Sequence, residues 1–130
     1  MNYKSEEIPN TDTLFMRAHV QLLKNRNFKL TDPIPPNIFR EHQGAMSTDW
    51  NKYSTLEQTR ARGNPSLNGV IGMNVGDVRN IPPLEVIHTP TFNNRAHTNI
   101  YGIIQENKSR TIEMRVKLAR IAQWLLKPLN

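Results

Sequence analysis

Cysteine is missing from all 130 residues. Disulfide staples, zinc–thiolate centres and thiol nucleophiles are therefore excluded together. No apolar run approaches the roughly 20 residues that a membrane-spanning helix needs. Met1 to Pro9 carry Glu6 and Glu7 where a secretory leader would have an apolar core, so the expectation is a cytoplasmic protein without a membrane partner. No internal repeat, heptad array or low-complexity tract interrupts the chain. The glycines give no phosphate-cradling loop: neither Gly69-Val70-Ile71-Gly72 nor Gly72 to Gly76 has P-loop or dinucleotide spacing, and no lysine follows. Hydrolysis of a nucleoside triphosphate is not expected. A G-x-S-x-G nucleophile elbow is also lacking, which disfavours serine hydrolysis even though His42, His88 or His97 could reach Ser47 in space. Nor is there an RNP-type aromatic pair, zinc-finger spacing or GxxG loop to name a nucleic-acid module.

What is present is basic charge and proline. Seventeen Lys and Arg against eleven Asp and Glu leave a net charge of +6, and nine prolines sit in a chain that is only 37% apolar. That apolar share is below the globular average, so much of the chain is loop. The length suits one core. Residues 1–11 are polar and aperiodic and are read as a mobile N-terminal arm; residues 12–130 are read as one α+β domain.

Within that domain the patterns are short. Leu14 to Val20 is scored as a strand in preference to a helix start. Pro33, Pro35 and Pro36 make an extended connector. Ser54-Thr55-Leu56-Glu57 has capping-box spacing, and a helix over about 55–62 follows, with Gly63 as its stop. Val70 to Val75, Leu84 to His88 and Ile100 to Ile104 have strand composition, and Asp77 to Asn80 can form a turn of helix. From Ser109 the apolar residues Ile112, Val116, Ala119, Ala122 and Leu126 recur at helical spacing, ended by Pro128. The expected fold is a small, mainly antiparallel sheet with a short capped helix and a C-terminal amphipathic basic helix.

That last helix concentrates the charge. Lys108 to Lys127 holds six basic residues and one acid, Glu113. On a helical wheel Arg110, Lys117, Arg120 and Lys127 share one side with Trp124. One reading is a solvated face with Trp124 packed under a neighbouring loop. A second is a stripe that tracks phosphates beside one stacking ring, and a third is a surface for an acidic protein partner. A sequence pI near 10.0 favours polyanion contact of the salt-sensitive kind.

Two His-Thr dipeptides, His88-Thr89 and His97-Thr98, stand nine residues apart. Across a small cleft two imidazoles can exchange protons with a phosphodiester while Arg95 or Arg79 holds the developing charge, a reaction that needs no metal and no cofactor. The structural alternative makes His88 a strand-ending hydrogen-bond cap and His97 an organiser of the Asn-rich loop. Only Glu85 lies near enough in sequence to join them at a metal. A second cluster, Phe39-Arg40 and Met46 to Tyr53, offers Arg40, Ser47, Asp49, Trp50 and Tyr53 for a polar-lined aromatic pocket that holds a base or sugar. Its alternative is a loop anchored by Trp50 in the core, with Asp49 paired to Arg40 or capping the turn.

The order of these segments, Leu14-Phe15-Met16-Arg17, Phe39-Arg40, Met46-Ser47-Thr48-Asp49-Trp50, Gly76-Asp77-Val78-Arg79, His88-Thr89-Pro90, Asn94-Arg95-Ala96-His97, Gly102 and a basic C-terminal helix, resembles a group of small uncharacterised bacterial proteins. The resemblance spans about residues 14–127. It departs at Met16, where a second Arg is expected, and at Arg95, where Pro is commoner. It carries no activity with it. The expectation for function is binding of a phosphate-bearing ligand, RNA or a nucleotide, extended to metal-independent cleavage by His88 and His97 with Arg79. The alternative is a non-enzymatic module whose basic helix docks on an acidic partner.

Overall fold

The computed structural model describes residues 2–23, 27–103 and 106–129. The strands are β1 (Thr13–His19), β2 (Ala45–Trp50), β3 (Asn68–Asn74), β4 (Glu85–His88), β5 (His97–Tyr101) and β6 (Ala122–Leu126), and the helices are α1 (Leu56–Ala61), α2 (Val75–Arg79) and α3 (Lys108–Ile121). They form an α+β fold with one antiparallel six-stranded sheet in the order β4-β5-β2-β1-β3-β6. Among the described residues no helix is long and apolar enough to cross a membrane.

Strand alternation sorts the side chains onto two faces. Leu14, Met16, Met46, Trp50, Ile71, Met73, Val86, Ile100 and Trp124 point to one, where they join Val75 and Val78 of α2, Met114 and Leu118 of α3, and Ile34, Ile38 and Phe39 in a single core. The register then places Phe15 opposite both Asp49 and Gly72, and Asp49 opposite His97. These residues and Arg17, Ser47 and Asn99 share the second face. There α1 covers the β1 side, tied by Arg17 Nη1 donating to the Thr59 carbonyl and Thr59 Oγ1 donating to Asp49. Over β2, β5 and β4 the same face is open, with Ser47, Glu85 and Ile87 exposed.

Three local expectations are corrected. The capping box lies one residue later: Thr55 Oγ1 accepts from the Gln58 amide, and Gln58 returns the bond to the Thr55 amide. Met46 to Trp50, read as a loop, is a strand between two strands, which pairs its backbone on both sides. The terminal helix stops at Ile121, and Ala122 to Leu126 extend to pair with β3. Ile104 lies outside the described residues. Near that point Gly102 has φ +98°, and a Cβ there would lie 2.5 Å from the Pro83 carbonyl oxygen, so this close crossing of β5 past Pro83 requires glycine.

The N-terminal segment, expected as a mobile arm, instead lies along the domain. Ile8 is buried, Ser5 Oγ donates to the His88 carbonyl, and the Gly76 and Val75 amides donate to Asn10 and Asp12 carbonyls. A polar stretch is held here by backbone and side-chain hydrogen bonds and by the apolar anchor Ile8, a pattern that composition does not reveal.

Candidate functional site

The open half of the polar face dips into a cavity of about 210 Å³ at the edge of α1, lined by Phe15, Arg17, Ser47, Thr48, Asp49, Arg62, Asn94 and His97. Its base is Asp49, whose side chain is 5% exposed. Oδ2 accepts from Thr59 Oγ1 at 2.8 Å and from Arg62 Nη1 at 2.5 Å, and Oδ1 accepts from Asn94 Nδ2 at 2.9 Å. A buried carboxylate is tolerated because a cation and two neutral donors satisfy it. Each donor is positioned locally. Thr59 and Arg62 sit on α1 and at its C-cap, and Arg62 Nη1 also reaches Ser54 Oγ at 2.9 Å. Asn94 belongs to the β4–β5 loop, where its Oδ1 accepts the Ala96 amide.

At the rim His97 is oriented from behind. Its Nδ1 lies 3.0 Å from the Thr89 carbonyl oxygen and 2.9 Å from Thr89 Oγ1. A carbonyl only accepts, so the contact with the Thr89 carbonyl uses a proton on Nδ1; in that tautomer the Nε2 lone pair faces Ser47 Oγ, 3.3 Å away. Arg17, from β1, completes the lining with its Nη1 on the Thr59 carbonyl. Two guanidinia against one carboxylate give the pocket a net positive charge, which favours an anion.

The structure brings together Ser47, Asp49 and His97 from the sequence-level candidates. It separates the others. His88 faces Thr98 across the strands whereas His97 faces Asp49, so the two imidazoles lie on opposite faces of the sheet. His88 is 2% exposed; Nδ1 accepts the Glu6 amide at 3.0 Å and Nε2 donates to the Arg95 carbonyl at 2.7 Å. Both nitrogens are used structurally, and proton exchange between His88 and His97 across a shared phosphate is ruled out by that placement. Arg79 is committed to the N-terminal segment, donating to the Ile8 carbonyl and Asn10 Oδ1. Arg40 Nε donates to the Asn37 carbonyl and lies away from the pocket lining. Trp50 is buried with its indole N–H on Asp12, so the core-anchor reading holds for that ring. Tyr53 donates to Glu6, and Arg95 stacks 4.1 Å from the Tyr53 ring centre and 4.9 Å from that of Tyr3. On α3, Arg110, Lys117 and Arg120 are exposed, Lys117 facing Glu113 at 3.4 Å. Trp124 and Lys127 lie off the helix. Trp124 is buried on β6 with its ring 4.3 Å from that of Phe28, so the stripe with a stacking ring does not form.

Sequence reasoning missed the pocket roles of Arg62, Thr59, Thr89 and Asn94. Asn94 and Arg17 do fall in the segments that carried the bacterial resemblance, and three of those segments, around Arg17, Ser47 and His97, meet at this cavity. Arg62 gave no local signal, because only the packing of α1 over β1 delivers it to Asp49.

The N-terminal segment closes over a neighbouring cluster with its own pH dependence. The Lys52 ammonium and then the Tyr53 hydroxyl, both hydrogen-bonded to Glu6, hold its carboxyl below the usual range, and the same carboxylate raises Lys52. Folding lowers the Glu6 pKa, so its contribution is present above the ordinary glutamate range and is lost as pH falls through that range and below it. Protection of the amides across residues 2–12, taken relative to their intrinsic exchange rates, is therefore expected to fall below about pH 4 ahead of global unfolding, with the step attributable to this carboxyl missing in Glu6→Gln. Identical acid profiles for the two proteins would refute the assignment.

No family model, curated protein or solved structure matches this chain.

Proposed function

We propose that the pocket at the edge of α1 binds the phosphate of RNA or of a nucleotide. The observation that carries the reading is the convergence of Arg17, Arg62, the Ser47 hydroxyl and the His97 imidazole on one cavity of about 210 Å³. That volume is below the roughly 300–1,000 Å³ of pockets that enclose a drug-sized ligand. It suits a single phosphate with its ester oxygens, while the base and remaining backbone extend over the open strip of β2, β5 and β4. Guanidinia match phosphate oxygens in a planar fork, and the hydroxyl and ring add short directional bonds. The excess of basic residues elsewhere adds a sequence-independent attraction that weakens with salt.

The test is a fluorescence-anisotropy titration of a labelled single-stranded RNA and of a nucleoside monophosphate as competitor, repeated at rising salt. Arg17→Ala and Ser47→Ala are each expected to weaken binding about tenfold, in line with the loss of one hydrogen bond to a charged group. Absence of binding by the wild-type protein at low ionic strength would overturn the proposal.

The exposed Arg110, Lys117 and Arg120 on α3 support the second reading, a non-enzymatic module that presents this helix to an acidic protein. It competes in the same titration. If neutralising those three residues abolishes RNA binding while the pocket variants bind normally, the helix and not the pocket is the polyanion surface.

A further inference from the structure

We infer that Ser47 is a nucleophile, activated by His97, and that the pocket breaks phosphodiester bonds through a covalent Ser47 intermediate. The inference rests on the phosphate-binding reading and adds the reaction. Three features of geometry point to it. Ser47 Oγ lies within reach of His97 Nε2, at 3.3 Å, a separation usual for a nucleophile and base without substrate. The Nδ1 edge of the ring lies 3.0 Å from the Thr89 carbonyl, a contact that fits a proton on Nδ1 and an Nε2 lone pair turned to Ser47. Beneath the pair, Arg17 and Arg62 line the cavity, and the buried Asp49 fixes Arg62 and Asn94 there at 2.5 and 2.9 Å.

The arrangement contains nucleophile, base, an orienting group behind the base, and donors where charge develops. Ser47 and His97 come from neighbouring strands, so the pair lies on the sheet and needs no nucleophile elbow. A phosphodiester carries one negative charge, equal and opposite to the charge of two guanidinia less one carboxylate. With one usable imidazole, a reaction in which two histidines act at once is unavailable, whereas a stepwise displacement needs only one.

In the first step the Ser47 hydroxyl proton passes to His97 Nε2 as the Oγ–P bond forms and the P–O bond to the leaving alcohol breaks. The imidazolium then returns that proton to the departing oxygen. In the second step water adds to phosphorus while His97 takes its proton, the Oγ–P bond breaks, and the same proton restores the Ser47 hydroxyl. Arg17 and Arg62 stabilise the charge on the non-bridging oxygens in both transition states.

A phosphorofluoridate ester reports the first step alone, since Oγ–P forms, P–F breaks, fluoride leaves and the Ser47 proton passes through His97 to solvent. Incubation of the full-length protein with diisopropyl fluorophosphate, followed by peptide mass spectrometry, is expected to find one phosphoryl adduct, on Ser47. The adduct is absent in Ser47→Ala, and its rate of formation falls at least about 100-fold in His97→Ala. With bis(p-nitrophenyl) phosphate, in the presence of EDTA, the wild type is expected to release nitrophenolate and both variants are not. Circular dichroism verifies that the variants are folded; should His97→Ala unfold, His97→Gln is used. Absence of an adduct, an adduct on another residue, or an unchanged rate in a folded His97 variant overturns the nucleophile assignment. RNA binding retained in the absence of an adduct would sink the reaction and spare the phosphate site. An adduct on Ser47 in a protein that binds no RNA or nucleotide would do the reverse.

Discussion

Trp50→Ala is expected to lower the free energy of unfolding by about 3–5 kcal/mol. The ring is 1% exposed at the end of β2. It meets His88 edge-on at 5.0 Å and Tyr53 at 5.4 Å, and its indole N–H donates to Asp12 at 2.8 Å. Truncation removes the transfer energy of a large aromatic, leaves a cavity between the sheet and residues 5–12, and deprives the Asp12 carboxylate of a donor. On the sheet side the backbone is held by strand pairing, so the cavity collapses little there. Against a total of about 5–15 kcal/mol for a domain of this kind, the variant is near its threshold of folding. Urea denaturation measures it as a reduced midpoint at unchanged slope. A loss under about 1 kcal/mol would show that the N-terminal segment and β2 do not depend on this ring.

Arg62→Ala is expected to cost about 2 kcal/mol and to abolish phosphate binding at the pocket. The sign follows from an asymmetry. Asp49 is almost completely buried, and removal of the guanidinium leaves it with only the Thr59 and Asn94 donors. Breaking a fully buried pair costs about 3–5 kcal/mol, but the Arg62 side chain is 29% exposed, so water compensates part of the loss. The double variant Asp49→Asn/Arg62→Ala removes the charge along with its partner and is expected to recover much of the stability while binding stays lost. That combination separates the structural from the ligand-binding part of the pair, since the two substitutions share a contact and are not additive. If the double variant is no more stable than Arg62→Ala, desolvation of Asp49 is not what the guanidinium relieves.

The residues of the pocket show why local reading succeeds in part. The region around Ser47 and Asp49 is recognisable as polar residues beside Trp50, but as a loop, because Asp49 is disfavoured in strands by propensity and the hydroxyl of Thr48 is costly to bury without a partner. They are buried all the same: Thr48 Oγ1 donates to the Thr98 carbonyl, and Asp49 is neutralised from α1. β6 was hidden for a different reason. Ala122, Gln123, Trp124, Leu125 and Leu126 continue a helical pattern as well as they form a strand, and the unpaired edge of β3 decides between the two.

His88 and His97 make the same point about chemistry. Their types and spacing are equal in the sequence, yet one is enclosed between the N-terminal segment and Trp50 while its counterpart meets Ser47 at the rim of a cavity. Strand parity is responsible, because a single residue's shift in register exchanges the two faces of a sheet.

Composition and periodicity alone determined the α+β class, the lack of thiol chemistry, the basic charge, and the short capped helix after the Trp50 segment. Those properties depend on nearest neighbours and on sums along the chain, which a linear string contains in full. Only the tertiary structure decided which imidazole is exposed, that Arg62 meets Asp49, and that residues 5–12 pack against the sheet and α2. Each depends on a partner between 13 and 83 positions away, and such pairings arise from how the sheet is ordered and which helix covers it.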